Sequence, residues 1–142
     1  MFEGPSSLTL DGKGRVSMPS RYRDDLQQLC GGRLTVTKHP HGCLMIFPRP
    51  AWEAFRDQIA QLPFSQTGVK RLFLGHADDV EMDATSRLLI HPDLRAFAGL
   101  EKDVKLMGMG SHFELWSGPA YAAHEASVLQ AEASAALDEL KF

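Results

Sequence analysis

Leu8-Thr-Leu-Asp-Gly-Lys-Gly-Arg-Val-Ser-Met-Pro19 decides how this chain folds, because it is written a second time as Val80-Glu-Met-Asp-Ala-Thr-Ser-Arg-Leu-Leu-Ile-His-Pro92. At an offset of 72 residues Asp11 falls on Asp83, Arg15 on Arg87 and Arg23 on Arg95. Leu8, Leu10, Val16 and Met18 fall on Val80, Met82, Leu88 and Ile90. Further along, Gly42-Cys-Leu-Met-Ile-Phe-Pro-Arg-Pro-Ala-Trp52 matches Ser111-His-Phe-Glu-Leu-Trp-Ser-Gly-Pro-Ala-Tyr121 at an offset of 69. Ordered matches of this kind across both halves mark an internal repeat. The three-residue change of offset is assigned to the connection between helix and strand.

Each copy has one grammar. Leu8 and Leu10 alternate with Thr9, the pattern of a half-buried strand. Gly12 and Gly14 flank Lys13 and mark a tight turn. Arg15 to Met18 read as the returning strand, stopped by Pro19, which has no N–H to give a ladder. Ser20 is placed to cap a helix reaching Cys30, and Gly31-Gly32 end it. Strands over 34–38 and 43–47 follow, joined by the His39-Pro-His-Gly42 turn. The second copy repeats this order: a strand, the Ala84-Thr-Ser86 turn, a strand, a helix over 92–98, then strands near 103–107 and 112–116. Pro92 suits a first helical turn.

A unit of roughly 45 residues is small for an independent core. The two copies are therefore expected to pair through their apolar faces into one barrel with a pseudo-twofold axis. Between them, Trp52, Phe55, Ile59 and Leu62 form an apolar helical stripe, and a second short helical segment covers 66–75. A last, Ala-rich helix is expected over about 119–140, with a thin stripe of Tyr121, Val128, Leu129, Leu137 and Leu140. The chain divides into a first unit (5–52), a helical connector (53–77), a second unit (78–121) and a C-terminal helix (122–142). The fold class is mainly β with short helices, an α+β chain.

With 142 residues, 44% hydrophobic and 23% charged, the chain has ordinary globular composition. Its two cysteines, Cys30 and Cys43, are too sparse for a disulfide framework or a zinc motif. Neither a charged leader with an apolar run nor a stretch of about 18 apolar residues is present, which predicts a cytoplasmic protein with no membrane partner.

Chemistry is scarce. His39-Pro-His41 reads as a surface turn, with no carboxylate or cysteine suitably spaced for a metal. His76, His91, His112 and His124 form no ligand motif. Gly108-Met-Gly110 reads as a hairpin turn, and Asp78-Asp79 with Glu81 as a solvated loop. No catalytic residue, metal, cofactor or small-molecule substrate is assigned.

The formal charge of −3 hides its distribution. Residues 1–50 carry seven Lys or Arg against four acids, whereas residues 101–142 carry three against seven. Four cations and no acid lie within 12–23. An Arg on a glycine-hinged turn can fork two N–H donors onto guanine or phosphate. Lys13 suits phosphate as a point charge. In each copy the Asp of Asp-x-x-x-Arg either bonds turn N–H groups and holds its Arg in one rotamer, or simply closes a surface ion pair.

Leu8-Thr-Leu-Asp-Gly-Lys-Gly-Arg15, Pro19-Ser-Arg-Tyr-Arg23, Gly42-Cys-Leu, Leu74-Gly-His-Ala77 and Asp83-x-x-x-Arg87 together resemble the MraZ family of bacterial transcriptional regulators, over nearly the whole chain. The resemblance implies two SpoVT/AbrB-type units in a duplicated swapped-hairpin, double-split β-barrel. It further implies a ring-shaped homo-oligomer, nucleoid-associated, that binds double-stranded DNA at direct repeats in the promoter of the division and cell wall genes. The DNA-binding roles it implies map to Asp11, Arg15, Asp83 and Arg87, and the residue reading adds Lys13. The second turn departs from the pattern, having Ala84-Thr-Ser and no Lys. The alternative is an antitoxin-like protein-interaction module.

Overall fold

The strands of the two copies interleave. The computed structural model describes residues 1–131 and 133–141. The first copy supplies β1 (Phe2–Thr9), β2 (Arg15–Ser17), β3 (Arg33–Lys38) and β4 (Leu44–Pro48). The second supplies β5 (Asp78–Glu81), β6 (Arg87–Leu89), β7 (Asp103–Gly110) and β8 (Phe113–Ser117). One sheet runs β1-β7-β8-β4-β3-β5, and a separate ribbon pairs β2 with β6. Exchanging the copies turns the six-strand order into its own reverse, so the duplication is a pseudo-twofold. The registers locate its axis. Val16 faces Leu88, with Arg15 opposite Leu89 and Ser17 opposite Arg87. At the other end Met45 faces Glu114.

The tight turns form as expected, closed by the Gly14 N–H to the Asp11 carbonyl and the Ser86 N–H to the Asp83 carbonyl. The strand leaving each turn does not return along the strand that entered it. β1 pairs with β7 over eight positions, while β2 crosses to β6. The hairpins are thus swapped between copies. No strand ladder joins the two sheets among the described residues.

Helix α1 (Ser20–Cys30) buries Tyr22, Leu26 and Cys30, a four-residue spacing that keeps one face inward. Gly31 ends it in the left-handed region at φ 61°. Ser20 is not its cap: Pro19 occupies that position and no side chain bonds the first turn. In α4 (Pro92–Ala98) the equivalent His91 does cap, its Nδ1 accepting the Asp93 N–H at 3.1 Å. The offset between copies is 72 where these helices start and 68 at their glycine ends, Gly31 and Gly99. The change of offset therefore begins inside the helix, not in the connection after it. Losing four residues removes about one turn and leaves the inward face in place.

The strands bury both faces. Leu44, Ile46, Phe113 and Leu115 join Leu26, Val36, Leu88 and Ile90 in the main core with no exposed surface. Met45 and Phe47 point the other way, under Trp52 and Ile59 of α2 (Arg49–Ala60) and Phe73 of α3 (Thr67–Phe73). The C-terminal residues form α5 (Gly118–Ala131) and α6 (Ala133–Glu139), and the join at residue 132 lies outside the described residues. Leu129, Leu137 and Leu140 are exposed there. Among the described residues no helix is long and apolar enough to cross a membrane.

Two further segments differ from what the sequence leads one to expect. Asp78–Glu81 is an edge strand rather than a loop, because it pairs antiparallel with β3 from Arg33 opposite Glu81 to Val36 opposite Asp78, and Thr35 and Arg49 both bond Asp79. Gly108 lies inside β7, not in a turn, opposite Gly4 of β1. A Cβ there would sit 2.6 Å from the Glu3 backbone nitrogen. We expect Gly108→Ala to lower the urea midpoint by forcing β1 away from β7. Gly68→Ala, in open space within α3, should instead raise stability by about 0.4–1 kcal/mol.

Candidate functional site: the two Asp-x-x-x-Arg turns

In the first turn Asp11 Oδ1 accepts the backbone N–H groups of Lys13 and Arg15, each at 2.9 Å. Its Oδ2 accepts Arg15 Nε–H at 2.8 Å. The second turn repeats this atom for atom. Asp83 Oδ1 accepts the Thr85 and Arg87 N–H groups at 2.9 and 3.0 Å, and Oδ2 accepts Arg87 Nε–H at 2.9 Å. Thr85 adds a hydroxyl bond to Asp83 at 3.0 Å. Each carboxylate thus fixes a turn with one oxygen and an arginine with the other. Because only Nε is engaged, the terminal NH1–NH2 fork of each arginine stays available for an outside acceptor.

These bonds hold both carboxylates ionised. The Arg15 N–H, with the Arg15 side chain and the Lys13 N–H, lowers Asp11 to about 2 against the opposing effect of desolvation. Asp83 is held further below the usual carboxylate range, chiefly by the Arg87 N–H and then by Thr85.

Alternation along the ribbon sets where the arginines point. Val16 and Leu88 are buried, so Arg15, Ser17, Arg87 and Leu89 share the outward face. The register puts the two arginines diagonally across it. Lys13 is exposed at the tip of the first turn. The structure therefore gathers Arg15 and Arg87 on one surface and places Asp11 and Asp83 behind them as their supports.

Arg23 and Arg95 belong to this framework. Arg23 Nε donates to the Met18 carbonyl at 2.7 Å, and Arg95 Nε to the Ile90 carbonyl at 2.9 Å, each tying a helix to the end of its ribbon strand. Arg95 lies against Gly14, where a Cβ would fall 2.5 Å from the guanidinium carbon. Gly14 is at φ 84° and its equivalent Ser86 at φ 61°, a conformation few non-glycine residues adopt. The repeat offset pairs these two arginines in the sequence, but the packing of Arg95 on the first copy's turn depends on the strand exchange.

A protein-family model described as "MraZ protein, putative antitoxin-like" matches residues 1–72 and again 73–141. The chain belongs to the MraZ family. It is 58% identical to the transcriptional regulator MraZ of Methylibium petroleiphilum over 142 residues, covering all of this chain and 97% of that protein. It is also 58% identical to that of Acidovorax sp. strain JS42 and 57% to that of Delftia acidovorans, in both cases over the full length of both chains. MraZ proteins are transcriptional regulators rather than enzymes.

The fold also brings together residues that spacing kept apart. The His39–Gly42 turn does have a cysteine and a carboxylate beside it: His39, Cys43 and Glu114 have donor atoms within 4.8 Å of one another. Glu114 was out of reach of any motif because strand pairing, not sequence proximity, delivers it. In this MraZ chain it stands where the first copy has Met45.

The MraZ turns should show their carboxylate bonding in solution. Since the folded value of Asp11 is depressed, its stabilising bonds are complete above the unfolded value near 4 and disappear as pH falls through about 2. Carbon-detected NMR of the side-chain carboxyl should show Asp11 titrating with a midpoint of about 2, and Asp83 lower still. The Arg15 and Arg87 Nε–H resonances should move with their own partner. A midpoint near 4 for either Asp would mean that its turn is open in solution.

Proposed function

We propose that this chain is a sequence-specific DNA-binding transcriptional regulator that reads DNA with the β2–β6 ribbon. The observation that carries this reading is the pair of Asp-anchored arginines, Arg15 and Arg87, on one outward ribbon face. A two-stranded ribbon is of a size that enters the major groove, and a fixed guanidinium fork matches O6 and N7 of guanine. Lys13 adds a phosphate contact beside the first turn. Asp11 and Asp83 act through their arginines, since a carboxylate aimed at DNA would repel it. Holding each arginine before binding reduces the rotamer freedom lost on contact.

The finer reading is of a ring-shaped homo-oligomer acting on direct repeats upstream of the division and cell wall genes, in the cytoplasm and at the nucleoid. A ring presents the ribbon face once per subunit. Several modest contacts to tandem repeats then gain avidity through effective concentration, without any new contact. The acidic excess of residues 101–142 confines DNA to the ribbon side.

Arg15→Ala should abolish the specific mobility shift of the chain's own promoter fragment while leaving its size-exclusion profile unchanged. Loss of one bidentate contact is worth about 1–3 kcal/mol per site. A change of oligomer instead would make Arg15 structural. Lys13→Ala should keep sequence preference but flatten the dependence of log affinity on log salt by about one unit per engaged subunit. A fragment with one repeat should bind far more weakly than one with several. A shift that requires an added protein partner would favour the antitoxin-like reading.

A further inference from the structure

The outer face of the β4–β8 pair carries an unusual set of side chains. By alternation Cys43, Met45 and Phe47 of this stretch share that face with His112, Glu114 and Trp116. Cys43 is completely buried. The Glu114 side chain is only 13% exposed. A carboxylate so covered is normally paired with a cation or coordinates a metal. Among the described residues no lysine or arginine pairs with Glu114. Its partners are the Trp116 indole N–H at 2.9 Å and His39 Nε2 at 3.2 Å. His41 lies beside His39, and His124 beside His41, with ring centres 4.7 and 4.8 Å apart.

We propose that His39, Cys43 and Glu114 form a binding site for a zinc-class divalent cation. An imidazole, a thiolate and a carboxylate are the three donor types that zinc accepts, and a nitrogen–sulfur set disfavours magnesium and calcium. The geometry is close to that required. A tetrahedral site with bonds of about 2.0–2.1 Å has N–O edges of roughly 3.3 Å, and the His39–Glu114 separation is 3.2 Å. The Cys43 sulfur completes a triangle with no side longer than 4.8 Å, so small side-chain rotations close it. Water takes the fourth position.

The protons balance simply. Binding releases the Cys43 Sγ proton to solvent and moves the His39 ring proton from Nε2 to Nδ1. Nδ1 now accepts the His41 N–H at 2.9 Å and Nε2 faces Glu114 at 3.2 Å, so that two hydrogen bonds are exchanged for three metal–ligand bonds. The bridging of the β3–β4 turn to β8 would join the two copies at the end of the axis opposite the ribbon.

The test uses the purified full-length chain, stripped with a chelator and titrated with Co²⁺ as a spectroscopic stand-in for zinc. The expected result is one Co²⁺ per chain, with a thiolate-to-cobalt charge-transfer band in the near ultraviolet that excess Zn²⁺ removes. Cys43→Ala should lose the band, and Glu114→Gln should weaken binding more than tenfold. Circular dichroism checks that each variant is folded. His39→Gln, at the turn, gives the same readout if the buried Cys43 variant is not. Absence of the band in the wild type overturns the proposal. So does a band that survives Cys43→Ala, or binding that survives both His39→Gln and Glu114→Gln, which would place the ion on the surface histidines alone.

Discussion

The antiparallel pairing of β2 with β6 is a contact of three residues on each side, and both arginine turns depend on it. A two-stranded ribbon of that length is not stable alone. It is held from beneath by Val16 and Leu88, which the main core buries. It is held at its ends by the Ile90 N–H on the Gly14 carbonyl and the Met18 N–H on the Ser86 carbonyl, both crossing between copies. Each turn is therefore positioned by the other copy's strand. Strand exchange fills the core and aims the arginines in the same act.

The pseudo-symmetry is close in backbone and looser in chemistry. Asp11 and Asp83 make equivalent bonds, so both arginines are held alike. Around them the surfaces differ. The first turn has Lys13 at its tip, the second a threonine whose hydroxyl is spent on Asp83. Ser17 on one strand is replaced by the exposed Leu89 on the other. One half of the ribbon is thus more cationic and the other more apolar, so the ribbon has a direction although its backbone is nearly twofold.

Much of this architecture is written locally, and the rest is not. Gly31 and Gly99 announce the helix ends, because a left-handed residue there is a local requirement. Asp11 and Asp83 announce the turns for the same reason. Which strand β2 joins is not a local matter: the alternation of Val16 and Met18 is satisfied by any apolar partner, and only the assembled core selects β6. The helical turn missing from α4 is not visible in the sequence pattern, because apolar spacing tolerates a four-residue deletion. Gly108 reads as punctuation in the sequence, whereas in the fold it lets β1 approach. The carboxylate beside His39 is supplied by a strand some seventy residues away in sequence, through a pairing that no spacing rule describes.

The order β1-β7-β8-β4-β3-β5 interleaves the two halves, each contributing a hairpin and an edge strand, so that each half is a template for the other. β1 and β2 have no strand partner within residues 1–60, and β5 and β6 have none beyond residue 78. The covalent link between the halves contributes proximity rather than strand pairing. A nick in the segment between α2 and α3 would leave two fragments held together by the sheet, the ribbon and the shared core. Such fragments, produced separately, would be expected to stay largely unfolded alone and to reassemble on mixing. In that sense the chain is a tethered dimer of half-proteins, and its connector is a leash.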